Sequence, residues 1–429
     1  MKTNEEQYFH DILDLLKKYE YLHSLRNIDF FLQDQWKKLP NDWLLFLKDL
    51  TRDELNQLPR NGHDHPKCPE TLKSFLIECG RLSVLTDEPL AMQPLPDTIS
   101  KSVKQKKRHE LNHLTSFIVS LCDQLNCNRV VDIGCGLGHL LRAIGNQRPL
   151  KLVGIDSDAA CCSKASTSFD VQSGSEFRSK TITANATKHQ LDEMLLGSES
   201  DRTAIVSLHG CGDLQPTILK WFAEADRAKA PLLIAVAWCY HKMSCGEDGT
   251  CINFPLSSCC STALDSFRVS PSSLRLACQE TAIRWESQSH EDHDKHERSF
   301  VHASLLQLFF ANKGLDPLSL QPRHRRRIMS SCIFEAFVEA ILASFELSAV
   351  VKAEWSEELN KLWTPLSDYT FAVEPFTALQ VALQAPLESL LLSDRLAFLK
   401  ERGLNASLTP VFNAAISPRN MTIVAHEFL

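Results

Sequence analysis

The sequence predicts an α/β fold built on a doubly wound, mostly parallel sheet. Three observations indicate it: short apolar segments recur along the middle of the chain, helical segments separate them, and a glycine-rich turn follows the first apolar segment. Strands that alternate with helices pair in parallel, because each right-handed crossover places its helix on a face of the sheet. Both ends of the chain depart from this pattern, which predicts a helical N-terminal extension, a helical insertion and a closing C-terminal β-hairpin.

Residues 1–95 form the predicted helical extension. Apolar side chains recur at helical spacing in one stripe that contains Phe9, Leu13 and Leu16, and in a second that contains Trp43 and Leu47. Three prolines between positions 89 and 96 then break the helical pattern. A domain boundary is therefore predicted between residues 95 and 96.

The core is predicted in residues 96–242. Five apolar segments indicate strands, and they lie at 129–133, 151–156, 180–184, 203–208 and 232–237. The stretches between them suit helices, so the sheet is predicted to be parallel with its faces covered.

The alternation stops in residues 243–370, which predict loops and helices inserted before the end of the core. Within this insertion, the charged segment 290–297 predicts a solvated loop, and residues 328–348 predict one long helix. Residues 371–429 return to the core with a helix and a β-hairpin, whose strands are predicted at 411–415 and 421–426.

Composition excludes several classes of protein. The 429 residues are 44% hydrophobic and 23% charged, as in soluble globular proteins that bury a large core. A net charge of −7 excludes a uniformly basic nucleic-acid binder, so any contact with RNA must come from local patches. The chain shows neither a signal-peptide core nor an apolar run of about 18 residues. Its 15 cysteines are many, but they are less dense than in small secreted domains, and their number is odd. These features predict a cytoplasmic or nuclear protein without a membrane partner.

The strongest local signal is the turn 134–138, Gly-Cys-Gly-Leu-Gly, directly after the first strand. Dinucleotide-binding turns usually have the spacing G-x-G-x-x-G and place a helix N-terminus on a pyrophosphate. Here Asp132 precedes the turn, and a carboxylate suits a cation better than a phosphate. S-adenosylmethionine carries a sulfonium and an ammonium and has no phosphate. Asp156, at the end of the second strand, can accept hydrogen bonds from ribose hydroxyls, and Asn185 can pair with an adenine edge. A structural or NAD-binding turn is the alternative.

The sequence resembles the class I S-adenosylmethionine-dependent methyltransferases. More narrowly, it resembles the methyltransferase-like 25 family, also called ribosomal RNA adenine dimethylase domain-containing proteins. The motifs that carry the resemblance lie at 106–110, 131–140, 154–156, 208–214, 239–243, 254–257 and 417–420. The family implies a Rossmann-like, seven-stranded sheet with the terminal hairpin as its last two strands. The predicted cofactor-binding residues are Asp132, Gly134, Cys135, Gly136, Gly138, His139, Asp156 and Asn185.

Two turns supply the candidate catalytic residues. His209 and Asp213 follow the fourth strand, and Cys239, Tyr240 and His241 end the fifth, so all five lie at the edge where open α/β sheets bind ligands. His209 can accept a proton from a nucleophile because the ordinary pKa of histidine, about 6.5, is close to neutral pH. Asp213 can orient His209 or accept a hydrogen bond from the substrate. Alternatively, His209 only turns the chain and Asp213 caps the next helix.

The turn after the fourth strand also bears on the substrate. Adenine-N6 methyltransferases typically carry Asn/Asp-Pro-Pro-aromatic there, whereas residues 209–212 are His-Gly-Cys-Gly. The cysteine and histidine turn one strand later is similar to that of a group of tRNA ribose 2′-O-methyltransferases. Together these features favour an RNA hydroxyl over a base nitrogen.

A zinc site is the alternative interpretation of the cysteine-rich region. Its candidate ligands are Cys239, His241, Cys245, Cys251, Cys259 and Cys260, with His209 and Cys211 as further candidates. No C-x2-C pair opens this cluster, as structural zinc sites usually require. Buried thiols that pack as small apolar groups are commoner, so no metal site is predicted.

Two basic segments predict RNA contacts through phosphate neutralisation. Their residues are Lys104, Lys106, Lys107, Arg108, Arg325, Arg326 and Arg327. The N-terminal helices offer a surface for a protein partner. The predicted function is S-adenosylmethionine-dependent methyl transfer, with RNA as the first substrate class. A protein or small-molecule substrate, or a cofactor-binding scaffold without turnover, is the alternative.

Overall fold

The computed structural model describes residues 4–89, 103–168, 175–246, 249–316 and 320–427, and the predicted boundary at 95/96 lies outside them. Contacts divide the chain into two units. The first comprises Met1–Lys17, Leu82–Ile283 and Ala385–Leu429, and the second comprises Lys18–Arg81 and Arg284–Gln384. These units are defined by contacts and each combines separate stretches of the chain, so they do not test boundaries drawn along the sequence. The boundaries of the predicted segments 1–95, 96–242, 243–370 and 371–429 therefore stay predictions.

The first unit contains the predicted α/β sheet. Its strands are β1 (Arg129–Ile133), β2 (Lys151–Asp156), β3 (Glu176–Ser179), β4 (Thr203–Gly210), β5 (Leu232–Ala237), β6 (Asn405–Pro410) and β7 (Met421–His426). They are ordered β3-β2-β1-β4-β5-β7-β6. The first five strands pair in parallel, whereas β7 is antiparallel to both β5 and β6. The doubly wound fold with a closing hairpin is therefore confirmed.

Two strands differ from their predicted positions. The third strand was predicted at 180–184, but β3 ends at Ser179, which pairs with Asp156 at the end of β2. The Lys180 amide makes one more bond to the Asp156 carbonyl, and β2 offers no partner beyond it. The hairpin strand predicted at 411–415 is also wrong, because Pro410 of β6 already pairs with Met421 of β7. Apolar residues after Pro410 belong instead to the connection between the strands.

Helices cover the sheet of the first unit. Those between the parallel strands and before β1 are α6 (Gln105–Gln124), α7 (His139–Gly145), α8 (Ala159–Ser168), α9 (Lys188–Leu195) and α10 (Leu214–Glu224). They are preceded by α1 (Asn4–Lys18) and followed by α11 (Ser258–Leu264), α12 (Pro271–Leu276) and α13 (Ala282–Glu286). The core between α6, α7 and the sheet contains Leu111, Ile118, Val130, Leu141 and Val206, each at most 1% exposed.

The second unit is helical. Its helices are α2 (Glu20–His23), α3 (Asn41–Lys48), α4 (Arg52–Asn61), α5 (Glu70–Arg81), α14 (His290–Lys313), α15 (Pro322–Met329), α16 (Phe334–Leu342) and α17 (Ala349–Leu366), and α18 (Val373–Lys400) begins in it. Aromatic rings form its core: Phe30 contacts Trp36, Phe300 and Phe376 with centroid separations of 5.2–5.3 Å. None of the helices in the described ranges is long and apolar enough to span a bilayer.

Two predictions about the second unit are wrong. Segment 290–297 is not a loop but the start of α14, because Ser289 forms a capping box with Asp292. One helical face of this charged segment is buried, and His293 contacts Glu374 at 2.5 Å and Asn56 at 2.6 Å. The single long helix predicted at 328–348 is two helices, α15 and α16. Between the two helices, the Ser330 and Ser331 hydroxyls donate hydrogen bonds to the Arg327 carbonyl. Such side-chain hydrogen bonds compete with the backbone hydrogen bonds of a continuous helix.

Candidate active site

The turn 134–138 joins β1 to α7 through backbone conformations that favour glycine. Gly134, Gly136 and Gly138 have φ of +77°, +54° and +70°, in the left-handed region. A Cβ at Gly136 would meet no atom within 4 Å, and one at Gly134 would meet only the His209 carbonyl oxygen, at 3.9 Å. Conformation rather than crowding therefore requires glycine here. The space beside the turn is open to a ligand.

Asp156, the last residue of β2, binds the glycine turn. Its Oδ2 accepts a hydrogen bond from the Gly136 amide at 2.8 Å, and its Oδ1 accepts one from the Asp158 amide at 2.9 Å. Each carboxylate oxygen has a second lone pair. The carboxylate is thus fixed in place and can still accept hydrogen bonds from two ligand hydroxyls.

Asp132 lies inside β1 and is only 2% exposed. Burial raises the pKa of its carboxyl group to about 7, an effect that the nearby Lys107 opposes and Asp156 reinforces. Within the described residues, no group donates a hydrogen bond to its Oδ1. A buried acceptor without a partner costs stability. This oxygen therefore marks a position where a donor or cation from a ligand fits.

The remaining predicted cofactor residues have different surroundings. The Cys135 thiol is buried and packs against β2, where a Cβ added at Gly154 would lie 2.8 Å from its sulfur. His139 begins α7, and burial together with the cations Arg142 and Lys107 lowers its pKa. Asn185 lies in an exposed turn between β3 and α9. Its predicted contact with an adenine edge remains a prediction.

The first turn of α6 borders the end of β4 through charged side chains. Lys107 Nζ lies 3.3 Å from His209 Nε2, and Oε2 of the buried Glu110 lies 3.9 Å from the same nitrogen. Lys106 Nζ lies 4.1 Å from the centroid of the Trp238 ring, which meets the His209 ring edge to face at 4.9 Å. Two ammonium groups and a carboxylate thus surround a predicted catalytic histidine. Both lysines were predicted as RNA contacts, and their place beside His209 was not predicted, because no local pattern pairs α6 with β4.

These neighbours determine the protonation of His209. Burial and the ammonium groups of Lys107 and Lys106 lower the pKa of its imidazole to about 3. An ammonium group can only donate hydrogen bonds, so the lone pair of Nε2 faces Lys107 and the ring proton lies on Nδ1. His209 is therefore neutral at physiological pH. This geometry suits a hydrogen-bond donor to a substrate better than a proton acceptor.

Asp213 fixes a loop near the end of β4. It occupies the N-cap position of α10, but its side chain makes no capping hydrogen bond. Its Oδ2 accepts from the Ser244 amide at 2.8 Å and its Oδ1 from Asn253 Nδ2 at 2.9 Å. Asn253 also accepts a hydrogen bond from Lys220 at 2.6 Å. The carboxylate therefore holds the loop that follows β5 against the start of α10.

Tyr240, predicted to be catalytic, is an internal anchor. It is 1% exposed, and its hydroxyl donates to Glu388 at 3.2 Å. The Arg395 guanidinium lies 4.9 Å from the Tyr240 ring centroid. Glu388 also pairs with the buried Arg419, which donates to carbonyl oxygens at residues 277 and 279 at 2.6 Å each. The tyrosine and the C-terminal motif are thus joined in one buried network.

The cysteine and histidine side chains near β5 contact one another in pairs. Cys245 and Cys251 form a disulfide, and His241 Nδ1 lies 3.0 Å from Cys278 Sγ. The carbonyl of Cys239 accepts a hydrogen bond from the Gly212 amide at 3.1 Å, which joins the turns that follow β4 and β5. Within the described ranges, no three side chains of His, Cys, Asp or Glu are arranged to hold a metal ion.

The C-terminal motif also fixes α6. Ser417 Oγ donates to Glu110 at 2.8 Å, and His109 Nε2 accepts from the Asn413 amide at 3.0 Å. Glu110, which borders His209, is thus held from the connection between β6 and β7. The motif at 417–420 was singled out because it resembles a motif of the family. The structure shows that its Ser417 holds Glu110.

Residues 106–246 match a protein-family model described as a methyltransferase domain. The matched segment contains the glycine turn, Asp132, Asp156 and both turns at the carboxyl edge. This segment of the chain is similar to a methyltransferase domain. The match and a mouse relative confirm the predicted resemblance to methyltransferases of the methyltransferase-like 25 type.

The chain is also similar to a mouse protein. The chain is 27% identical to the probable methyltransferase-like protein 25 of Mus musculus over 262 residues, which are 57% of this chain and 40% of that protein. The match thus spans about two fifths of the length of that curated relative. A solved structure of the plantazolicin methyltransferase BpumL in complex with SAH is similar at 14% identity, over 63% of this chain and 79% of that chain, with a TM-score of 0.24.

Proposed function

We propose that the methyltransferase domain binds S-adenosylmethionine beside the turn 134–138 and transfers its methyl group to RNA. The observation that carries this proposal is the Asp132 carboxylate, which is buried and has an oxygen without a hydrogen-bond partner among the described residues. Burying a carboxylate in this way is costly. A ligand that carries an ammonium and a sulfonium offsets that cost, whereas a pyrophosphate would add to it.

Two groups of residues would hold the cofactor. Asp132 would face its cationic part, and Asp156 would accept hydrogen bonds from the ribose hydroxyls with the lone pairs that the Gly136 and Asp158 amides leave free. The open glycine turn would allow close approach of the ligand to the backbone. When bound, S-adenosylmethionine supplies a methyl group activated by its sulfonium.

The residues beside the cofactor would position the nucleophile. Neutral His209 offers its Nδ1 proton as a hydrogen-bond donor, and Lys107 keeps the ring in that tautomer. Glu110, fixed by Ser417, pairs with Lys106 at 3.8 Å and holds this lysine near the ring. Acceleration would come mainly from holding the nucleophile in line with the methyl group, since well-oriented groups reach high effective molarities.

RNA is supported by the charge around His209. Two ammonium groups, those of Lys106 and Lys107, flank the ring at the end of β4. A substrate that carries a phosphate next to its nucleophile would be attracted to this site. Lys104, one turn away on the same segment, is exposed and can extend the contact along the backbone of an RNA.

A transfer assay with S-adenosylmethionine labelled in its methyl group tests the proposal. The purified chain is incubated with total cellular RNA and, separately, with RNA-free protein extract. We expect label in a fraction that ribonuclease removes and protease does not, with little label for Asp132→Asn. Label that protease removes would instead indicate a protein substrate and would contradict RNA as the substrate. Cofactor binding without any transfer would support a scaffold and contradict the enzymatic proposal.

A further inference from the structure

A groove in the second unit lies between α14 and α15. It has a volume of about 990 Å³. One wall consists of residues 291, 295, 298 and 299 of α14, and the other of residues 322, 325, 326 and 329 of α15. Both sets follow helical spacing, so each helix presents one face to the groove. The apolar side chains of Leu320 and Met329 contribute to its lining.

The groove concentrates positive charge. Lys295 and Arg298 on one wall and Arg325 and Arg326 on the other are all exposed, and Glu291 is the acidic residue that lines it. In the part of the chain that the structure describes, none of these four cations forms an ion pair within 4 Å. Like charges on facing walls repel one another. An anionic occupant that lies between the walls would relieve this repulsion.

We propose that this groove binds the phosphate backbone of a single-stranded RNA. The proposal rests on the proposed function, because the groove would be a second binding site for the same RNA that receives the methyl group. Guanidinium groups bind phosphate oxygens in a planar, bidentate way, and cations on both walls suit one strand that passes between them. The apolar lining residues Leu320 and Met329 can contact the faces of bases without selecting a sequence. A groove of this size takes a few nucleotides and does not enclose a duplex.

Helix α15 provides its own control. Arg325 and Arg326 lie on the face with Pro322 and Met329, which lines the groove. Arg323 and Arg327 are also exposed, but they do not line it. The sequence grouped Arg325, Arg326 and Arg327 as one basic patch. The structure separates Arg327 from the other two, so a general effect of charge can be distinguished from binding in the groove.

The test uses the full chain and a fluorescein-labelled 12-nucleotide oligouridylate in fluorescence anisotropy between 50 and 200 mM salt. The groove variant is Arg325→Gln/Arg326→Gln, and its matched control is Arg323→Gln/Arg327→Gln. We expect the groove variant to weaken binding about tenfold and to reduce the slope of log K against log salt by about 1.4, as for two lost phosphate contacts on a single strand. The control should stay within about twofold of the wild type.

Three outcomes would overturn the proposal: equal loss in both variants, unchanged binding in the groove variant, or tighter binding of a poly-glutamate peptide of similar length than of the RNA. The last outcome would assign the groove to an acidic polypeptide. Lys295→Gln/Arg298→Gln on the opposite wall should reproduce the effect of the groove variant. Titration of the same samples with S-adenosylmethionine separates the two proposals, because failure of the groove leaves cofactor binding unchanged.

Discussion

Asp132→Asn should remove a pH dependence from cofactor binding. In the free protein, burial raises the pKa of the Asp132 carboxyl group to about 7. A cationic ligand favours the ionised form, so the affinity of the wild type should increase as this group deprotonates. Asparagine has a similar shape and no charge. The variant should therefore bind S-adenosylmethionine more weakly, and the difference between the two proteins should grow with pH.

The size of the effect follows from the pKa. At pH 6 about one molecule in eleven carries an ionised Asp132, and at pH 8 about ten in eleven do. If only the ionised form binds well, the ratio of wild-type to variant affinity rises about tenfold between these values. Partial deprotonation of the ligand's amino group at pH 8, given its ordinary pKa of about 7.7–8.0, reduces this rise to about three- to fivefold.

Stability should change in the opposite direction. The rise of the Asp132 pKa from 3.8 to about 7 means that the native state resists ionisation, at a cost on the order of 4 kcal/mol. Wild-type stability from this group is thus highest in acid, falls as pH rises from about 4 to about 7, and is level above that. Asp132→Asn lacks this slope. The variant therefore loses cofactor affinity together with the part of the pH dependence of stability that Asp132 causes.

Calorimetric titration at pH 6, 7 and 8 and constant ionic strength measures the affinities. Asp123→Asn is the matched control, because Asp123 is half-exposed and pairs with Arg148 at the surface. Its affinity should follow the wild type at each pH. A ratio of wild-type to Asp132→Asn affinity that is the same at pH 6 and pH 8 would show that the charge of Asp132 does not contribute to cofactor binding.

Three further predictions concern other buried charges. Lys107→Met removes the cation nearest to His209, so the pKa of that imidazole should rise in an NMR titration; an unchanged pKa would mean that Lys107 does not control it. Arg419→Met removes the buried cation that pairs with Glu388 and should cost about 3–5 kcal/mol in urea unfolding, whereas Arg148→Met at the surface should cost about 1 kcal/mol or less. Burial raises the pKa of Glu374, but hydrogen bonds from two histidines lower it by more than burial raises it, so the pKa lies below its ordinary value of 4.5. Glu374→Gln should therefore destabilise most near pH 7, and a loss that does not shrink as pH falls below about 4.5 would contradict this.

The fold was predictable where burial is continuous along the chain. β1, β2, β4 and β5 are almost entirely buried apolar runs, and the glycine turn after β1 needs left-handed conformations that glycine supplies. β3 lies at the edge of the sheet and is only half-buried. The end of its partner β2 sets where β3 ends, and the residues of β3 carry no signal of that end. The strand was therefore predicted at 180–184, directly after its actual position.

The sequence singled out the residues proposed to hold the cofactor, whereas it did not indicate what surrounds His209. Asp132 and Asp156 stand next to strands and a glycine turn, so local spacing draws attention to them, and their contact with a cofactor stays a prediction. Lys107 and His209 are 102 residues apart in the chain, and only the docking of α6 onto the sheet brings them together. Tyr240 has the residue type of a catalytic group, but its hydroxyl binds Glu388, 148 residues away.

Titration of the purified chain with S-adenosylmethionine, with Asp156→Ala in parallel, tests the central claim most directly. We expect saturable one-to-one binding by the wild type and its loss in the variant, because the Asp156 carboxylate fixes the Gly136 amide and would accept hydrogen bonds from the ligand. Circular dichroism melting confirms that both proteins are folded. Absence of saturable binding by the folded wild type, or equal binding by Asp156→Ala, would contradict the assignment of this turn as the cofactor site.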